Sequence, residues 1–212
     1  MTTERLIAEL ARQAGPVRVL PRLDTRWLHW AIASLASLAV GLVVFGVRSD
    51  AASQLASGDF LVRALLTAVI AGVAARHALR WGVPGAEPVA WARWWPQVAV
   101  VAWTGLLLSK LWGSLATQLG AVRWHPQCGW QIAALASVPA VWMFWQSRRA
   151  SPYELGWVSI QSALAAAAVG ALAVQWICGL NAAAHQLVWH VLPVIAVSIA
   201  VALAGRLTLR RQ

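Results

Sequence analysis

Apolar residues gather along the chain in six long runs separated by short polar stretches. They cover roughly Trp27–Val47, Phe60–Leu79, Pro96–Leu115, Trp130–Trp145, Trp157–Ile177 and Leu187–Gly205. About 20 apolar residues in a helix cross the hydrocarbon core of a bilayer, so each run predicts a transmembrane helix. The fourth run is the shortest, about 16 residues or 24 Å at 1.5 Å per residue, and is expected to sit in locally thinned bilayer. Ahead of the first run, Leu6, Ile7 and Leu10 fall at i, i+1 and i+4, one apolar stripe on a short amphipathic helix. Gly15, Pro16 and Pro21 end that helix before the membrane. About three turns are marginal in water, so the stripe is expected to lie on a membrane surface or in a partner's groove. The pattern predicts an all-α integral membrane protein, a six-transmembrane helical bundle. An N-terminal segment 1–26 precedes the bundle 27–205, and a basic tail 206–212 follows.

Composition supports the membrane class. Of 212 residues, 60% are apolar and 11% charged, against roughly 25% charged in soluble domains. Lys and Arg number 17 against 7 Asp and Glu, a net charge of +10. In a soluble protein this excess would suggest nucleic acid, but no basic stripe lies along a polar helix face, so no direct nucleic-acid contact is expected. The cations sit instead between the runs. Thirteen fall on one side: Arg5, Arg12, Arg18, Arg22, Arg26, Arg76, Arg80, Arg93, Arg148, Arg149, Arg206, Arg210 and Arg211. The other side holds Arg48, Arg63 and Arg123, with Lys110 near the end of the third run. The positive-inside rule then puts both termini of a multi-pass membrane protein in the cytoplasm. The first run is too long for a signal-peptide core and reads as a retained helix.

Of the tryptophans, Trp27, Trp30, Trp81, Trp91, Trp94, Trp95, Trp124, Trp130, Trp157, Trp176 and Trp189 fall at run ends, as an interfacial belt would. Ala166 and Gly170, four apart on one face, predict close approach of another helix. Pro139 and Pro193 are expected to kink the fourth and sixth helices.

No Asp or Glu lies inside any of the six runs, which argues against a proton-coupled carrier. Lys110 is expected to snorkel to the outer interface. Polar chemistry collects on the outer side, where Cys128 begins the fourth run and Cys178 follows the fifth. Two cysteines without a CxxC exclude a disulfide-dense scaffold or a zinc ribbon. Three readings of the pair stand: a structural disulfide, reversible thiol sensors of oxidation or a soft metal, and two small buried residues. In the second reading His125 and His185 complete a set of S₂N₂ type for Cd²⁺, Zn²⁺ or Cu⁺, bound transiently, with no resident cofactor required. His190, a turn inside the sixth run, is expected only to hydrogen-bond a neighbouring helix. His29 and His77 fall on the opposite side. No nucleophile–base pair or phosphate loop suggests an enzyme. A quinone-linked thiol oxidoreductase would need a closer cysteine pair. A membrane exporter or carrier for a metal or small molecule is the alternative function.

The chain resembles the NrsF-type membrane anti-sigma factors over nearly its whole length. The resemblance rests on Leu6-Ile7-Ala-Glu-Leu10 followed by Pro16-Val17-Arg18, on six runs, and on two outer cysteines. Cys128-Gly-Trp-Gln-Ile132 leading to Ser137-Val-Pro139 is similar to the family pattern, as is Cys178 followed by Leu187-Val-Trp189-His190-Val-Leu-Pro193. It implies that the N-terminal segment, with Leu6, Ile7 and Leu10, holds an extracytoplasmic-function sigma factor at the membrane. It also implies that Cys128 and Cys178 sense heavy metal or oxidative stress and release that partner.

Overall fold

A computed structural model describes residues 2–13, 19–83, 85, 89, 91–112, 122, 124–150 and 154–209. All regular structure among them is helical. Helix α1 is Thr3–Gln13, α2 Leu23–Phe45, α3 Ala51–Leu55 and α4 Gly58–Trp81. A 3₁₀ turn, Ala92–Trp94, leads into α5, Trp95–Leu111, which has Pro96 in its first turn, where a missing N–H costs nothing. Helix α6 is Pro126–Arg148 and α7 Leu155–Ile177. The last segment runs through α8, Ala183–Gln186, a π turn, Leu187–Val191, and α9, Leu192–Leu209.

Among the described residues, five helical segments are long and apolar enough to cross a membrane: α2, α4, α6, α7 and Ala183–Ala204. The expectation of a short fourth span is overturned. Helix α6 has 23 residues, because Pro126, Gln127 and Cys128 at its start and the polar Gln146, Ser147 and Arg148 at its end continue the helix. The short one is α5, with 17 residues, about 26 Å at 1.5 Å per residue. Residues 113–121, including the end of the predicted third run, lie outside the described residues, as do Gly15, Pro16, Val17 and Arg18.

Helix α7 is the axis of the bundle, packed on α4, α6 and α9. A helix apolar all round belongs in the interior, and 78% of its apolar window is buried, against 22% for α2. Its alanines let neighbours approach. A Cβ added at Gly170 would lie 2.3 Å from the carbonyl oxygen of Ile132, so α6 and α7 meet backbone to backbone there. Helix α2 closes on the other side of α6, with Ser37 Oγ donating to the Leu135 carbonyl at 2.8 Å. The outer faces carry exposed aliphatic side chains such as Leu35 and Val43 on α2, Leu65 on α4, Val101 on α5, Val141 on α6 and Ile199 on α9. A belt of this size suits lipid rather than water.

Two tryptophans leave the predicted belt. Trp30 and Trp81 are buried, at 3% and 6% exposure, because their faces turn into the bundle. Trp91, Trp94, Trp95, Trp124 and Trp130 are exposed as expected. Lys110 does not snorkel alone: it pairs with Asp59, whose second oxygen holds the buried Arg63 at 2.9 Å.

Candidate functional site

Cys128 is the third residue of α6, whose first residue, Pro126, again lacks an N–H where none is needed. Its side chain faces the core at 3% exposure. Cys178 caps α7: its N–H donates to the Val174 carbonyl at 2.8 Å, and its extended backbone (φ −80°, ψ 121°) leads the chain away. The expectation that both cysteines share one end of the bundle holds. The sulfurs are 3.7 Å apart, and both thiols are free.

The loop carrying Cys178 is clamped by Arg48, just beyond α2. The Arg48 N–H donates to the Trp176 carbonyl at 3.0 Å. Its guanidinium donates to Asn181 Oδ1 at 3.2 Å and to the Gly179 carbonyl at 3.4 Å. Asp50 closes the clamp with contacts of 2.6 and 2.9 Å to the same guanidinium. Hydrogen bonding from Arg48, opposed in part by burial and reinforced by Gln54, pulls the Asp50 carboxyl down to about 2.

Beyond the loop, His185 and His190 enter on one continuous helical segment. At about 100° per residue, five positions of α-helix would turn His190 roughly 140° away from His185. The π turn at Leu187–Val191 adds one residue to the turn, so positions five apart fall nearly in line. Pro193, lacking an N–H, is the second residue of the α-helix that follows. Both imidazoles are buried, at 1% and 2% exposure. His185 Nε2 lies 3.4 Å from the Cys178 sulfur and 3.9 Å from the Cys128 sulfur. One ligand atom from each of Cys128, Cys178, His185 and His190 falls within 4.8 Å of all the others. His185 Nδ1 and both ring nitrogens of His190 are buried without a hydrogen-bond partner. Two thiols and two imidazoles can bind a soft cation, and the thiols alone can close to a disulfide.

The predicted ligand set therefore changes by one residue. His125 stands just before α6, half-buried, with its ring edge-on to that of His185 at 5.3 Å between centroids. It falls outside the group of four. His190 takes that place, a residue that sequence reasoning assigned to an ordinary helix contact. Its spacing from His185 is visible in the sequence, but α-helical geometry separates the two, and only the π turn aligns them.

At the other end, α1 forms as the stripe predicts. Leu6, Ile7 and Leu10 are 42%, 61% and 58% exposed, and no described residue of α1 is buried.

No curated protein and no solved structure matches the chain. The family profile of NrsF, negative regulator of sigma F, matches residues 10–210, and the chain belongs to that family of sigma-factor regulators.

Proposed function

We propose that this protein is an inner-membrane anti-sigma factor that holds an extracytoplasmic-function sigma factor through α1. Chemistry at Cys128 and Cys178, driven by heavy metal or oxidant, releases the partner. Both termini lie in the cytoplasm and the cysteines face the periplasm, following the asymmetry of Lys and Arg. The carrying observation is the apolar stripe of α1, exposed on a helix whose sequence is too short to be stable in water alone. Docked in a groove of the sigma factor, that stripe would be buried at i, i+1 and i+4. A switch from 1:99 to 99:1 needs about 5.5 kcal/mol of differential binding, and bonds from two thiolates to a metal, or one disulfide, are of that order.

The test is affinity capture from mild-detergent membranes, comparing the full chain with one lacking residues 2–22. Recovery of a sigma factor with the full chain alone supports the reading. Equal recovery from both, or none from either, removes it.

A further inference from the structure

The geometry points to a closed, tetrahedral N₂S₂ site for a divalent d¹⁰ cation, Zn²⁺ or Cd²⁺, built by Cys128, Cys178, His185 and His190. The inference deepens the preceding reading and rests on it only for the regulatory consequence; ion binding itself stands on the side chains.

The three edges among Cys128, Cys178 and His185 match those of an ion-sized tetrahedron, and His190 lies within 4.8 Å of all three. Zinc–sulfur bonds of 2.3 Å and zinc–nitrogen bonds of 2.0–2.1 Å give edges of about 3.8 Å between sulfurs and about 3.5 Å between sulfur and nitrogen. The edges here are 3.7 Å for the two sulfurs, and 3.4 and 3.9 Å from them to His185 Nε2. The fourth vertex comes from His190. Its ring is 2% exposed, it faces the Cys178 thiol, and neither nitrogen makes a hydrogen bond of good geometry. Buried polar atoms are ordinarily satisfied, and a metal–nitrogen bond would satisfy one of these. A disulfide would consume both sulfurs and leave the imidazoles stranded.

Charge selects the ion's valence. Binding converts two thiols to thiolates and releases two protons, so a divalent cation leaves the site neutral. A monovalent ion would leave one negative charge buried, which a low-dielectric interior disfavours. Four protein ligands leave no open position, as in non-catalytic zinc sites.

The test uses the full chain in mild detergent, stripped of metal, reduced, and without a sigma factor. Titration with Co²⁺ should give one ion per chain, with the sulfur charge-transfer and intense visible bands of a tetrahedral site, and Zn²⁺ should displace it with no net proton change. Loading Zn²⁺ into the apo-protein should release two protons per ion near neutral pH. H190Q and H185Q should each weaken binding at least about tenfold, and H125Q should leave it unchanged. X-ray absorption on the Zn²⁺-loaded parent should read two sulfur and two imidazole neighbours, and needs no variant to fold. Octahedral Co²⁺ spectra, a sulfur-only or oxygen-rich shell, or parent-like binding by a folded H190Q would overturn the proposal. Sigma-factor capture by the same preparation is a separate readout, so loss of one reading is not loss of the other.

Discussion

Arg26 and Gln146 hold each other in both directions: Arg26 Nε donates to Gln146 Oε1 at 3.2 Å, and Gln146 Nε2 donates to the Arg26 carbonyl at 3.3 Å. Both residues are buried, and Arg26 also donates to the Leu79 carbonyl at 3.4 Å. Gln146 is on α6, about 27 Å along the helix axis from Cys128. Arg26 lies in the first turn of α2, where the N-terminal segment enters the bundle. One continuous helix, with Pro139 inside it, thus joins the cysteine end to the root of the segment that carries α1.

Gln146→Leu should cut that joint. It removes both hydrogen bonds and leaves a buried guanidinium nitrogen unsatisfied, a cost of about 1–3 kcal/mol. The melting temperature in detergent should fall. On the proposed function, resting sigma-dependent transcription should rise while the labelling rate of Cys128 stays at its parent value. Unchanged transcription with a lowered melting temperature would mean that the joint only stabilises the bundle.

Gly170→Ala should destabilise the protein more than Gly41→Ala. The added Cβ at 170 meets the Ile132 carbonyl oxygen at 2.3 Å, a backbone atom that moves only with α6. At 41 it meets the Leu135 side chain, at 2.7 Å, which can change rotamer. Overpacking of the first kind costs about 1–3 kcal/mol. Thermal melting of the two variants beside the parent checks the order.

The Arg48–Asp50 contact predicts a pH window. The Asp50 carboxyl is depressed from 3.8 to about 2 in the folded protein. Its contribution is therefore fully present above the unfolded value and is lost as pH falls through about 2. Asp50→Asn should lower stability by a constant amount between pH 5 and 7, and the gap from the parent should close between about pH 4 and pH 2. A gap that persists at the acid end would locate the effect in the shape of the loop rather than in the charge.

Much of the fold is legible in the sequence. The α1 stripe forms where Leu6, Ile7 and Leu10 place it, because local periodicity suffices. Gly170 marks a close approach because small residues four apart can serve little else inside an apolar helix. Cys128 and Cys178 share one end because run boundaries fix depth. Depth is all that run boundaries fix, which is why the sequence pattern puts Trp30 and Trp81 in the belt although their azimuth buries them. The Arg48 clamp joins residues more than 130 positions apart, and no local pattern encodes it. His190 escapes the sequence pattern for a sharper reason: α-helical periodicity puts it on another face from His185, and one π turn realigns the two.

The double variant Cys128→Ser, Cys178→Ser tests the proposed sensing step. It should still capture the sigma factor, since neither residue is near α1 in sequence or at its end of the bundle. It should fail to release that partner on cadmium or oxidant, because a hydroxyl neither binds a soft ion well nor forms a disulfide. Transcription from a sigma-dependent promoter, measured before and after exposure, checks both parts. Normal release by the double variant would remove the cysteines from the mechanism.

The π turn makes one further prediction that a loose cluster of side chains would not. The turn lets His185 and His190, five apart, act as a pair that α-helix would form only at four. Deleting Val188, which is 37% exposed, removes the extra residue and puts the two histidines four apart on a regular helix. Co²⁺ binding by the full chain should survive that deletion. Inserting one alanine after Val188 instead spaces them by six, about 120° apart around an α-helix, and binding should be lost. Here helical phase, rather than chain length, sets the order of the two outcomes. Equal loss in both variants would mean that the segment tolerates no change, and equal retention would mean that His190 is not a ligand.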